Sequence, residues 1–537
     1  MSELDDDPGL VPPAIRQALD ALTAAETRMH ALPAVVIAAR RRVAVEKTPQ
    51  AREALEAAMA QMRAGMEEVE EASDLLGRLA GLSEKNDEAP IDPYLDPVDR
   101  RSRASLTGDK VEVSGDLDEV LPRSIEALLA LLPRDWRAVE PESLFRLDDG
   151  VNPDAFLSIV KGLRRESEFP SGHRFRQALQ VCQDYLANEP RYDLFAGATL
   201  VSQTAQLGRS LDALAGVGGD WRGRLQSLWT GAGPNVDATI LELLVAAGCA
   251  RRGRQIEFIT ASHEKSPDLR VHDPFPMVIE CKRRAALIDY ELKEEARMRE
   301  VFMALSAEAR RRGQYGRYAL KLNVEAFDID VAEVARALLA QRLVPRPSRP
   351  TAYPWGEVAF SEIPRRVPLP EVCRAYSPRV LNYVFDWNSD LPEWDGLICR
   401  FEAAQGSLVD ECRGTVGLVW TNLSDRAVAK RAFAPVRLFM DAMSQVPPGE
   451  FGIIYCAYVE GAREEIADRR LANYVERLAD FEHAGSIGLP ISYLVRLYPR
   501  ALGDGAPDLI ESTIRFLGPH GVNELFADFP GAIFSGP

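Results

Sequence analysis

The chain has 537 residues, 46% hydrophobic and 27% charged, a globular composition with length for about three domains of ~150 residues. No apolar run approaches the ~18–20 residues that span a bilayer, and MSELDDDPGL is acidic with no apolar stretch after it, so no membrane partner and no secretory signal are expected. The net charge of −17 repels nucleic acid as a whole-molecule field, so any nucleic-acid contact must rest on a local basic surface.

The first 83 residues read as mostly helix. Thr48-Pro49 has the form of an N-cap followed by proline at the first helical position. From there Leu55, Met59, Met62, Met66, Val69, Ser73 and Leu76 recur at alternating spacings of four and three. That seam predicts a helical hairpin or short coiled coil over 1–83, serving either a homodimer or larger complex, or packing on its own domain. Residues 84–118, rich in Pro, Asp and Ser, read as a linker. Helical patterns return over 119–230 in SIEALLALL, PDAFLSIVKGLRR, FRQALQVCQDYLA and LFAGATLVSQTAQLGRSLDALAG, predicting an all-helical domain. GVGGDWRG, at 216–223, is glycine-rich but follows no strand of a βαβ unit, so it makes a poor dinucleotide loop.

At Gly231 the texture changes. PNVDATILELLVAAGC predicts a short apolar helix with Asn235 or Asp237 as N-cap. RQIEFITA, PDLRV and PMVIECK predict three strands, LIDYELKEEARMREVFMALSAEARRRG a long amphipathic helix, RYALKLNVE a strand and DVAEVARALLAQRL a helix. The order is α-β-β-β-α-β-α over 231–345, and PRPSRPTAYP marks a boundary near 345–354. Beyond it, strands (NYVFDW, DGLICRF, TVGLVWTN, FGIIYCAYVEG, ISYLVRLY) separated by helices predict an α/β region over 355–537 that extends the preceding sheet or forms its own domain. The fold class expected is therefore α/β and multi-domain, with a helical N-terminal region.

Seven cysteines (Cys182, Cys249, Cys281, Cys373, Cys399, Cys412, Cys456) contain no C-x-x-C pair, and six histidines are dispersed. This reads as reduced thiols in a cytoplasmic protein, without a zinc ribbon, disulfide frame or His-rich metal site. P-loop, H-E-x-x-H and G-x-S-x-G motifs are absent.

The chemistry concentrates in PDLRVHDPFPMVIECKRR, from Pro267 to Arg284. Side chains on a strand alternate faces, so Met277, Ile279 and Cys281 point to a core while Glu280 and Lys282 share the other face. A carboxylate and an ammonium beside buried surface are costly unless paired or metal-bound. Asp268 lies twelve residues before Glu280 on the preceding strand, where a hairpin brings such positions together. Two adjacent carboxylates repel, and a divalent cation removes that repulsion; Mg²⁺ takes one or two carboxylates together with substrate phosphate oxygens. The plain alternative for Glu280 and Lys282 is a same-face surface ion pair, worth about 0–1 kcal/mol.

Pro267-Asp268 followed by Glu280-Cys281-Lys282 resembles the PD-(D/E)xK motif of the restriction-endonuclease-like nuclease superfamily, whose core has the order α-β-β-β-α-β. The resemblance covers about 231–325. It implies Asp268 and Glu280 as ligands of Mg²⁺ or Mn²⁺, Lys282 as the catalytic lysine, and Glu242, alone among Ile240, Leu241, Leu243, Leu244 and Val245, as an accessory metal ligand. Arg251, Arg252, Arg254, Arg283 and Arg284 supply a local basic surface for nucleic acid; the ordinary role for such clusters is a solvated face or a helix C-terminus. The resemblance thus implies a metal-dependent deoxyribonuclease with DNA as partner, and by analogy a role in restriction or anti-phage defence. Two other readings stand beside it. One is a nucleic-acid-binding or assembly module active only within a complex, which the acidic charge favours. The other is a coiled-coil scaffold with an accidental motif.

Overall fold

The computed structural model describes residues 117–131, 157–160, 163–164 and, with short breaks, 174–516, together with isolated positions within 16–68 and 529–534. The heptad positions Leu55, Met59, Met62, Met66, Val69, Ser73 and Leu76 lie outside the described residues, as does the expected linker over 84–118 except Leu117 and Asp118, which are helical.

Helices α1 (Leu117–Leu131), α2 (Arg174–Leu186) and α3 (Leu194–Arg209) pack around Leu121, Ile125, Val181, Cys182 and Val201. Between α1 and α2 lie β1 (Leu157–Val160) and β2 (Leu163–Arg164). This corrects the helical expectation for PDAFLSIVKGLRR. The β-branched Ile159 and Val160 suit a strand, and β1 pairs antiparallel with a distant strand at Leu157↔Cys399 through Val160↔Gly396. The chain continues through α4 (Leu211–Leu214), α5 (Trp221–Thr230), α6 (Val236–Arg251), β3 (Ile256–Phe258), β4 (Leu269–Val271), β5 (Met277–Arg283), α7 (Asp289–Arg311), β6 (Gly316–Leu322) and α8 (Val331–Leu339). Then come β7 (Thr351–Tyr353), β8 (Gly356–Glu362), β9 (Arg366–Arg374), α9 (Pro378–Phe385), β10 (Gly396–Arg400), β11 (Leu408–Arg413) and β12 (Val416–Asn422). The last elements are α10 (Asp425–Ala432), α11 (Ala434–Met443), β13 (Phe451–Val459), α12 (Glu464–His483), β14 (Ile491–Ala501) and β15 (Pro507–Phe516).

In NYVFDW, expected as a strand, Asn382–Phe385 belong to α9, and Trp387 lies outside the described residues. The Ser377 hydroxyl accepts from Val380 N (3.3 Å), proline occupies the first helical position, and Asp386 ends the helix with φ +57°. A serine cap followed by proline starts a helix and overrides the β propensity of Tyr and Val.

The order α-β-β-β-α-β along 231–325 is observed, but it is split between two mixed sheets. Six strands run β15-β14-β13-β5-β4-β3 and seven run β2-β1-β10-β12-β6-β8-β7, with β9 and β11 forming a separate ribbon. β5 takes β13 as its parallel partner, from Met277↔Phe451 to Arg283↔Ala457. β6 instead pairs parallel with β12 and antiparallel with β8. The reason lies in burial. The inner position beside β5 is covered on both faces, which suits the continuous apolar run FGIIYCAYV; β6 alternates buried Tyr318, Leu320 and Leu322 with the more open Arg317 and Lys321. The boundary expected near 345–354 is therefore not a domain edge for this sheet. The C-terminal region both extends the sheet of β5, through β13 to β15, and adds β10 and β12 to the sheet of β6.

One face of the six-stranded sheet packs on α6 through Ile279, Cys281, Tyr455 and Leu241; the other packs on α11 and α12 through Ile454, Cys456, Phe439 and Tyr474. Helix α7 lies on the seven-stranded sheet, burying Met298, Val301, Phe302 and Leu305 against Leu320 and Leu418. Buried charges then fasten the two sheets together. Arg431 of α10 pairs with Glu294 of α7 and with Asp395 (2.6 Å), Arg463 reaches Asp395 (3.2 Å), and Asn422 donates to Glu294 (2.9 Å). Arg470 of α12 pairs with Glu460, at the end of β13, and lies 3.7 Å from Glu291 of α7. Truncating Arg431 leaves Glu294 and Asp395 buried without their main counter-charge. Arg431→Ala is therefore expected to lower unfolding free energy by about 3–5 kcal/mol in a denaturant titration, whereas the exposed Arg311→Ala leaves the midpoint unchanged.

Candidate active site

Asp268 stands at the entrance to β4. Its N–H donates to Ile279 O (3.1 Å), and its Oδ2 accepts from Cys281 N (2.9 Å). The register Leu269↔Ile279 sets Asp268 across from Glu280. Along β5, Met277, Ile279 and Cys281 enter the core shared with α6, as the alternation requires. Glu280 and Lys282 lie beside Ile454 and Cys456 of β13. Glu280 is fully buried, while the Lys282 side chain keeps 26% of its surface open and its Nζ pairs with Glu280 Oε1. Glu280 Oε2 has no donor facing it. The group beside Glu280 is another carboxyl, that of Asp268, and only a shared proton or a cation makes such a juxtaposition favourable.

Glu242 comes from α6, a helix buried on nearly every side, with Leu241, Leu243, Leu244, Val245, Ala246 and Ala247 all inaccessible. Its carboxylate pairs with the Arg224 guanidinium of α5. Burial, and next the Asp268 charge, push the Glu242 carboxyl up to about 8, with Arg224 and Lys282 opposing. Burial and Asp268 likewise raise Glu280 to about 8, against the pull of Lys282. Burial raises Asp268 too, opposed by the Cys281 N–H, Lys282 and Arg224. For Lys282, burial lowers the pKa, but Glu280 and Asp268 outweigh it and the net shift is upward, so the side chain is a cation. Glu242, Asp268, Glu280 and Lys282 thus share one electrostatic neighbourhood.

Among the described residues no three His, Cys, Asp or Glu side chains stand together as a preformed metal cluster. The pairings explain this: Glu242 is turned to Arg224, Glu280 Oε1 to Lys282, and Asp268 Oδ2 to a backbone N–H. The oxygens are hard donors of the kind Mg²⁺ or Mn²⁺ takes, and Glu280 Oε2 is buried without a hydrogen-bond partner.

The expected basic surface divides. Arg251 and Arg252 are exposed, and Arg254 is half-buried across Phe529 (5.2 Å), with Nη1 on Asp273 O at 3.4 Å. Arg283 does not serve a phosphate surface. Its side chain is 2% exposed, held by Asp237 (3.7 Å) and Gln203 (3.3 Å) and stacked on Phe534 (4.9 Å). The physical reason is strand alternation: Arg283 continues the core-facing set of Ile279 and Cys281. Arg284 is half-buried, with Nη1 at 3.4 Å from Ala434 O.

Arg224 was not legible from spacing. What positions it is the glycine-rich loop before α5. Gly218 bridges to β3, donating to Ile256 O (2.8 Å) and accepting from Phe258 N (3.0 Å). Gly219 has φ +75°, and a Cβ there would lie 2.4 Å from Phe258 O. Only glycine fits so close an approach in that conformation. Asp220 then accepts from Gly223 N (2.8 Å) in the first turn of α5. The run read as a weak dinucleotide loop thus covers a sheet edge and delivers Arg224 to Glu242.

A carboxyl whose pKa is higher folded than unfolded binds protons more tightly in the native state. Its contribution to stability is complete below the unfolded value, about 4.3, and is lost as pH rises toward the folded value near 8. The Tm of the metal-free protein is therefore expected to fall between pH 5 and 8.5, and Glu280→Gln to flatten that fall and raise Tm at pH 8. A Tm lowered at pH 8 by Glu280→Gln would mean that Glu280 serves only as the ion-pair partner of Lys282.

No protein-family model, no curated protein and no solved structure matches this chain.

Proposed function

We propose that the chain is a metal-dependent nuclease that hydrolyses DNA phosphodiester bonds at the Asp268–Glu280–Lys282 site, in the manner of the PD-(D/E)xK enzymes. The observation that carries the reading is the facing pair Asp268 and Glu280, with Lys282 two residues along on the same strand. Support also comes from topology. The α-β-β-β-α-β order is completed within one sheet by α6, β3, β4, β5, α11 and β13, with α11 packed on both β5 and β13. The stretch from α7 to α10 is then an insertion that supplies β6, β7, β8, β10 and β12 of the second sheet, to which β1 and β2 add from upstream.

Asp268 and Glu280 would hold the cation, with Glu242 as the accessory ligand. A bound Mg²⁺ or Mn²⁺ supplies Lewis acidity and lowers the pKa of a coordinated water. Burial of Glu280 keeps bulk water from its oxygens and strengthens their attraction for a cation. Lys282, held as a cation by Glu280, orients the attacking water and stabilises negative charge on the phosphate oxygens. Water oxygen bonds to phosphorus, the bond from phosphorus to the leaving sugar oxygen breaks, and that oxygen takes up a proton.

A second reading is favoured by one observation. Glu242 with Arg224, and Glu280 with Lys282, already neutralise one another, which is how a binding or assembly module without activity would satisfy the same residues. One experiment separates the two. Purified protein with Mg²⁺ or Mn²⁺ is expected to degrade DNA, and Asp268→Asn, Glu280→Gln and Lys282→Met each to lower the rate by about 10²–10⁴-fold. DNA binding without cleavage would favour the second reading, and activity surviving all three substitutions would refute the site.

A further inference from the structure

Arg224 sits where the carboxylates meet the surface. Its guanidinium pairs with Glu242, lies over the Phe258 ring at 4.8 Å, and reaches Ile259 O at 3.4 Å. Ile259 is tied to the site in turn, since its N–H donates to Asp268 O (3.0 Å). Arg224 keeps 26% of its side chain open, against 11% for Glu242, so of the two partners the guanidinium is the one solvent reaches. A planar guanidinium resting on an aromatic face presents donors in a fork that matches two phosphate oxygens.

A counter-ion for Glu242 alone has no need of this arrangement. The loop that leads into α5 is bonded to β3 at Gly218, so Arg224 is anchored beside the strand that pairs with β4, at whose entrance Asp268 stands. If Glu242 turns toward a cation beside Asp268 and Glu280, its pairing with Arg224 loosens while Phe258 still supports the guanidinium. The solvent-exposed edge of the fork is then released from Glu242.

Resting on the nuclease reading, we propose that Arg224 is the residue that grips the substrate phosphate: it neutralises Glu242 in the metal-free chain and transfers to a non-bridging phosphate oxygen when cation and nucleic acid enter together. Arg224 lies outside the sequence motif, on the helix before α6, so nothing in PD…ExK calls for it.

The test uses the full chain and two readouts that do not depend on turnover. The first is the Mn²⁺ concentration giving half of the maximal Tm increase. The second is fluorescence anisotropy of a labelled 20-base-pair DNA duplex with Ca²⁺, repeated across salt concentrations. Arg224→Gln is expected to leave the Mn²⁺ response intact or shift it to lower concentration, because Glu242 is released. It is also expected to weaken duplex binding about 10-fold and to reduce the salt dependence by roughly one phosphate contact, a slope change near 0.9. Arg224→Lys, which keeps the charge but loses the planar fork, is expected to fall between and guards against a folding defect.

A different pattern overturns the proposal. If Arg224→Gln weakens the Mn²⁺ response as Glu242→Gln does and leaves the salt slope unchanged, Arg224 only holds Glu242. If wild type cleaves DNA and both Arg224 variants match it in every readout, the proposal fails and the nuclease reading stands. If wild type shows neither a Mn²⁺ response nor duplex binding, both fall.

Discussion

A carboxylate taken out of water must find a proton, a cation or a set of donors, and β4 and β5 put two of them side by side. That constraint organises the centre of this protein. The antiparallel register that buries Leu269 against Ile279 leaves no choice about Asp268 and Glu280: they face each other one step further along. Everything around them bears on the resulting charge. Lys282 answers Glu280, the Cys281 N–H answers Asp268, and Arg224 comes from another helix to answer Glu242. Three carboxyls share two cations, Lys282 and Arg224, so full ionisation leaves one negative charge over, and burial raises all three carboxyls. Here Glu280 Oε2 is left over.

The contrast with the second buried network is informative. Glu294, Asp395, Arg431 and Arg463 are equally inaccessible, yet each carboxylate there is met by guanidinium or amide groups. Burial pushes Asp395 upward, but Arg431 and Arg463 win and its pKa falls below the usual range. That network joins helices from two sheets and has the chemistry of a clamp. The Asp268–Glu280 pair lies at the meeting of two strands and has a lysine open to solvent. Burial raises Glu294 as it raises the site carboxyls, so the two clusters differ chiefly in their cations: Asp395 is met by two guanidiniums, whereas Glu280 has the single ammonium of Lys282 and its Oε2 is unpartnered.

Much of the site could be read directly from residues. Period-two alternation separated Met277, Ile279 and Cys281 from Glu280 and Lys282, and the lone Glu242 in an apolar helix marked itself by its cost. The same rule, carried one residue further, would have assigned Arg283 to the core; reading it by charge put it on the surface instead. What the sequence hid is long-range. A strand's pattern records how its faces are covered and carries no label for its partner, so nothing in the order of elements shows that β13, rather than β6, lies beside β5. Local competition accounts for the others. In NYVFDW the start signal sits upstream at Ser377-Pro378, and in LSIV a short strand lies within a stretch whose leucines also fit a helix. Arg224 carries no spacing signal at all, because a fold contact made through a glycine loop brings it to Glu242.

The central claim is that the space between Asp268 and Glu280 is a divalent-cation site. Anomalous diffraction from crystals soaked in Mn²⁺ tests it most directly. The account predicts a peak bounded by carboxylate oxygens of Asp268 and Glu280, absent in Asp268→Asn crystals soaked alike. Ordered density for both side chains with no peak between them, or an equal peak in the variant, would contradict it.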